Sequence, residues 1–132
     1  MKIKKKAAEQ KAQRKYVNEV RLVGYLGQQP KRYDNRVVMS LATVSYSKRH
    51  EDWHYHTEWH RIVAWGKLAE EVTALAKGDH IEVKGDLRSR VFAAIEILSP
   101  VTQKSSDNDM IWEIRARSVS VLDRAKDRIK AD

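Results

Sequence analysis

The chain has 132 residues, the length of one domain with room for a tail, and can bury a modest core unaided. It has no cysteine, which removes disulfides, thiol nucleophiles and the commonest structural zinc sites. No apolar run approaches a membrane span and no secretory signal opens the chain, so an intracellular protein that does not contact membrane is expected.

The formal net charge of +8 is unevenly placed. Residues 1–17 hold Lys2, Lys4, Lys5, Lys6, Lys11, Arg14 and Lys15 against Glu9, a net +6. Residues 18–122 and the charged extension 123–132 each carry about +1. An anionic partner would therefore meet the body through placed residues rather than a diffuse basic surface.

In chain order, residues 1–17 are rich in helix formers but poor in apolar side chains, and read as a basic arm. Two readings stay open for it, a solvated tail or a second anion-binding element. A first strand is expected over Asn18–Leu26, a tight turn at Asp34-Asn35, and a second strand over residues 37–46. A polar loop is expected from Ser47 to about Tyr55, then a third strand closed by Gly66. Leu68, Val72, Leu75 and Ala76 fall on one face of a helix over residues 67–79, with Gly78 as its C-terminal cap. Alternation predicts a fourth strand over residues 80–92 and a fifth over 111–122, joined by a protruding hairpin. The order β-β-β-α-β-β is that of the mainly β, five-stranded Greek-key OB-fold barrel, with the helix between strands three and four.

Alternation along the third strand puts Trp59, Arg61, Val63 and Trp65 on one face and Glu58, His60, Ile62 and Ala64 on the other. Burying the rings in the core would bury Arg61 with them at a heavy desolvation cost, so Ile62 and Ala64 are assigned to the interior. The fourth strand repeats the pattern, with Ile81, Val83, Gly85 and Leu87 inside and Lys84, Asp86, Arg88, Arg90 and Phe92 outside. Rings that stack bases beside arginines that neutralise phosphate are what an unpaired nucleic-acid strand needs.

The segments NEVRLVGYLGQQP, SLAT, TEWHRIVAWGKLAE, KGDLRSR and WEIRARSVSVL resemble, in order and spacing, those of the bacterial and organellar single-stranded-DNA-binding protein family. The resemblance implies base-stacking roles for Trp59, Trp65 and Phe92 and cationic strand contacts at Arg61, Lys67, Arg88 and Arg90. It also implies subunit assembly through His60 into a homotetramer. The family's next aromatic position falls here on Ser47; Tyr46, one residue early, would face the other way unless a bulge corrects it. Family members typically end in an acidic, phenylalanine-tipped tail that recruits other enzymes, and no such recruitment is expected here.

The function so implied is sequence-independent binding and protection of single-stranded DNA in replication, recombination or repair. The place expected for it is the bacterial cytoplasm, at the nucleoid, with an organellar matrix as the alternative. The competing reading is an OB-fold subunit of a larger, RNA-associated assembly, anchored by the basic arm. His54, His56 and His60 share a strand face, but with no cysteine or second ligand cluster no metal or other cofactor is expected. Glu58 and His60 lack a nucleophile and an oxyanion site, so an enzyme is not expected. Trp112 is read as barrel or hairpin packing.

Overall fold

The computed structural model describes residues 15–91 and 110–131. Phe92, residues 1–14 of the arm and the connection over residues 93–109 lie outside the described residues. The elements are β1 (Val20–Leu26), β2 (Lys31–Tyr33), β3 (Arg36–Arg49), β4 (Asp52–Trp65), α1 (Gly66–Val72), β5 (His80–Val91), β6 (Met110–Asp123) and α2 (Ala125–Ala131).

The strands follow one another in the order β1-β5-β6-β4-β3-β2, and β1 also pairs with β3 through Tyr25↔Ala42 and Leu26↔Leu41. That second pairing closes the sheet into the five-stranded barrel the sequence leads one to expect. The short β2 is added at its edge. At the closing corner Gly24 presses on the neighbouring strand, where a Cβ would sit 2.0 Å from the Ala42 carbonyl oxygen. Gly85 does the same at the register shift of β5 on β6, 2.1 Å from the Arg115 carbonyl oxygen. Only a residue without a side chain lets the backbones approach this closely.

The interior is filled from alternate positions, as a small barrel requires. Leu26, Val37, Met39, Leu41, Ile62, Ala64, Ile81, Val83 and Ile114 are buried together, with Ala69, Val72 and Leu75 closing one end. The inside assignment holds for Ile62, Ala64, Ile81, Val83 and Gly85. Leu87, expected inside, is 42 % exposed: it stands opposite Ile114 at the rim of the barrel, the last rung at which β6 also pairs with β4. Trp112 lies beyond that rung opposite Ser89 and is also exposed, so it does not pack in the barrel.

The polar loop expected at residues 47–55 is instead ordered ribbon. β3 and β4 pair without interruption from Arg36↔Trp65 to Arg49↔Asp52, turning at His50 and Glu51. Both turn residues have positive φ, 53° and 72°, as a two-residue turn matched to strand twist demands. The expected helix is also shorter, because the Thr73 hydroxyl donates back to the Glu70 carbonyl at 2.6 Å where α1 ends. The following turn still buries Leu75, and Gly78 takes its left-handed conformation (φ 88°) there rather than as the helix cap. Asn18, expected in β1, continues the ladder with its side chain: its amide donates to the Leu87 carbonyl and accepts from the Leu87 N–H, both at 2.8 Å.

The charged extension is docked. Asp79, 1 % exposed, accepts from the backbone N–H of Ala76 (2.8 Å) and of Ala125 (2.9 Å), so it caps the start of α2 from a distance. His80 Nδ1 donates to Asp123 at 3.0 Å while its ring stacks on Tyr25, with centroids 4.5 Å apart. Arg128 binds Asp123 and the Gly78 carbonyl and lies over the Tyr25 ring.

The hydrogen bond from His80 is the main reason that the Asp123 carboxyl is held below the ordinary carboxylate range; a smaller burial effect opposes it, and Arg128 adds to the lowering. A depressed folded-state pKa stabilises above the unfolded value and is lost as pH falls through the folded one. Docking of α2 should therefore be at full strength above about pH 4 and weaken below it. Hydrogen exchange of α2 amides at a series of acid pH values reads this, and unchanged protection relative to the barrel strands would contradict it.

Candidate nucleic-acid interface

Trp53, Tyr55, Thr57, Trp59, Arg61, Val63 and Trp65 share one face of β4, on which Val63 alone is buried (1 % exposed), and the unbroken register sets each against a residue of β3 on the same face. Arg36 faces Trp65, Ser40 faces Arg61 and Ala42 faces Trp59. β2 extends this face through Tyr33↔Arg36 and Lys31↔Val38, and β6 joins it on the other side through Val63↔Arg115. β5 completes it, with Asp86 against Arg115 and Arg88 against Glu113. Rings and guanidinium groups from separate strands thus share one outer wall of the barrel.

Trp59 is 57 % exposed and Trp65 42 %. The Trp59 ring leans over Gly27, where a Cβ would meet its Cζ3 at 2.3 Å, so the glycine gives the ring its seat. The Arg36 guanidinium stands 5.7 Å from the Trp65 ring and 5.6 Å from the Tyr33 ring. These distances are in the range of cation–π attraction. Lys67 is exposed in the first turn of α1, two residues beyond Trp65.

Arg61 and Arg90 are held by one carboxylate. Their Nε atoms donate to Oε2 and Oε1 of Glu113, each at 3.1 Å, and Glu113 is buried beneath them. Two guanidinium groups on two strands are thereby fixed by a single acid, which lowers the entropy lost when they meet a phosphate. Arg88 is pinned in the same way by Asp86 at 2.6 Å. A cleft of about 300 Å³ opens beside Trp59 and Arg61, walled by Gln28, Lys31 and Tyr33. A second, of about 490 Å³, lies between Trp65, Arg88 and Arg115.

Of the residues singled out in the sequence, Trp59, Arg61, Trp65, Arg88 and Arg90 are brought together, Lys67 stands at the margin, and Phe92 lies outside the described residues. Tyr46 needs no bulge: it stands opposite Tyr55 and therefore on the Trp59 face. The two tyrosines meet edge to face with centroids 5.3 Å apart. His60 points to the opposite side and shares a 2.7 Å hydrogen bond with the Thr43 hydroxyl. Glu58 accepts from His56 at 2.7 Å rather than from His60. Sequence reasoning missed Tyr33, Arg36, Glu113 and Arg115. Alternation in IWEIRAR does place Glu113 and Arg115 on one face, but it cannot say that two arginines from other strands converge on the glutamate.

Residues 17–122 match the profile described as the single-strand binding protein family. Single-stranded DNA-binding protein 1 of Xylella fastidiosa is 34% identical over 122 residues, covering 86% of this chain and 83% of that one. The protein of the same name from Chlorobaculum tepidum is 38% identical over 81 residues, 56% of this chain, and the match spans 50% of the Chlorobaculum protein. Among solved structures, a Plasmodium falciparum SSB in complex with ssDNA superposes with a TM-score of 0.66 at 23% identity, covering 82% of this chain and 96% of that one. A single-stranded DNA-binding protein from Thermus aquaticus gives 0.64 at 24% identity, covering 81% and 51%. At these identities the structural likeness shows the fold.

Proposed function

Because the chain belongs to the single-strand binding protein family, we propose that its outer wall is a platform on which unpaired DNA is bound without regard to sequence. The observation that carries this reading is the placement of Trp59, Arg61 and Trp65 on one face of β4, the two rings exposed and Arg61 half-buried between them, with Arg88 and Arg90 beside them on β5. Every base has a face to stack on an indole, and every nucleotide has a phosphate for a guanidinium, so the contacts are blind to sequence. Glu113 and Asp86 set the angle of the arginines before the strand arrives. The action is binding and protection, not catalysis, and it serves wherever DNA is unpaired during replication, recombination or repair. The family resemblance adds Phe92 as a further stacking residue, and Lys67, exposed in the first turn of α1, adds a charge.

The protein works as a homotetramer in the bacterial cytoplasm, with His60 at a subunit contact. What supports the His60 role is that its side of the ribbon is turned away from the DNA face, leaving it available to another subunit. No helix among the described residues is long and apolar enough to cross a membrane. Native mass spectrometry with and without oligo-dT tests ligand and assembly together. The expected result is a tetramer mass that increases by that of bound oligonucleotide, and an unliganded monomer under both conditions would refute both parts.

A further inference from the structure

Arg115 and Arg117, both exposed on β6, line the cleft of about 490 Å³ together with Trp65, Asp86 and Arg88. Three guanidinium groups thus meet one carboxylate, and that carboxylate is already taken. Asp86 stands opposite Arg115 across the strands but is bound to Arg88 at 2.6 Å. Arg115 has no hydrogen bond or ion pair among the described residues. Arg117 is placed by a break in the ladder: Gly85 pairs with Ala116 and Lys84 with Ser118, which leaves Arg117 as the extra residue of a bulge. Its Nη2 donates to the Gly85 carbonyl at 3.1 Å, so the guanidinium is carried across to β5. Bulges commonly re-aim a side chain in this way beside a functional site. Gathering like charges works against folding, whereas a cleft lined by one sign focuses its field on a ligand of the other.

We propose that Arg115 and Arg117 bind an internal phosphodiester of the strand, that of the nucleotide whose base stacks on Trp65. The proposal rests on the function given above and adds two contacts that family resemblance does not assign. What shares the cleft identifies the occupant: the exposed indole takes a base, and the guanidinium groups beside it take the phosphate of the same nucleotide. With Arg88 held by Asp86, the charge of Arg115 and Arg117 is in excess, as an incoming anion requires.

The test titrates the intact protein and the full-length Arg115→Ala/Arg117→Ala variant with oligo-dT at several salt concentrations. A Lys77→Ala/Lys126→Ala variant, which removes the same charge from exposed residues outside the cleft, is the control. The cleft variant should bind about tenfold more weakly at low salt, with a log–log salt slope shallower by about 0.7, the value for one phosphate contact on a single strand. The control should stay within about twofold of the intact protein with its slope unchanged. Arg117 also bonds the backbone, so Arg115→Ala alone, which breaks no bond of the fold, should by itself weaken binding about threefold or more. Equal behaviour of the cleft and control variants, or a loss confined to oligo-dT that carries a 5′-phosphate, would overturn the inference. Failure of the intact protein to bind oligo-dT would instead remove the function on which it rests.

Discussion

Replacing Trp59 and Trp65 together by alanine should weaken oligo-dT binding about 100-fold, or about 3 kcal/mol, at one fixed salt concentration. Each ring offers about 1–3 kcal/mol of stacking, and the two sit on one strand at opposite ends of Arg61. Neither belongs to the buried core, so the variant should melt within a few degrees of the parent and its loss should be one of contact rather than of fold. Part of the Trp65 effect would come through Arg36, whose guanidinium would lose one of the two rings beside it and keep Tyr33. Fluorescence anisotropy of a labelled oligo-dT gives the affinity without relying on the tryptophans removed. A change of threefold or less would mean that the rings do not carry the strand.

The second large effect concerns stability. Asp79→Ala should cost about 3 kcal/mol and lower the melting temperature by roughly 10 °C. The carboxylate is almost wholly buried and accepts from Ala76 N, Ala125 N and, at 3.3 Å, Arg124 Nη1. Truncation leaves buried donors without an acceptor, the costly side of hydrogen-bond asymmetry, and frees the start of α2. Arg124 would keep its bond to the Ala74 carbonyl, so α2 should loosen rather than detach entirely. Oligo-dT affinity should hold, because the partners of Asp79 take no part in the stacking wall. Calorimetry and the oligo-dT titration separate the two quantities, and an unchanged melting temperature would contradict the capping role.

The barrel and the centre of its wall were readable because burial leaves a trace. Near the end of β4 one face had to be small and apolar, so Ile62 and Ala64 marked the interior and turned the rings and Arg61 to the other side. The same logic failed at residues 47–55. A ribbon with solvent on both sides shows no inside and outside in its composition, and its turn is built from His50 and Glu51 instead of the glycine or asparagine that usually signals one. Tyr46 was misjudged for a related reason: its facing depended on the partner strand, and only the register opposite Tyr55 decides it.

Long-range pairing hid the rest. Glu113 reads in sequence as one more charge on a solvated face, but β6 runs parallel beside β4 and antiparallel beside β5, which brings Arg61 and Arg90 to the same carboxylate. Asp79 looks like an ordinary turn residue until Ala125 arrives from the far end of the chain. In both cases the local pattern is correct, and the function of the acid is set by a partner dozens of residues away.

On the function proposed above, single-stranded DNA is held by placed rings and placed cations on one barrel wall. Titrating the intact protein with oligo-dT at several salt concentrations, read on tryptophan fluorescence, tests it most directly. Strong quenching is expected, with an affinity that falls with salt at a log–log slope of about −3, the value for roughly four phosphate contacts on a single strand. Weak or absent quenching together with a slope near zero would contradict it.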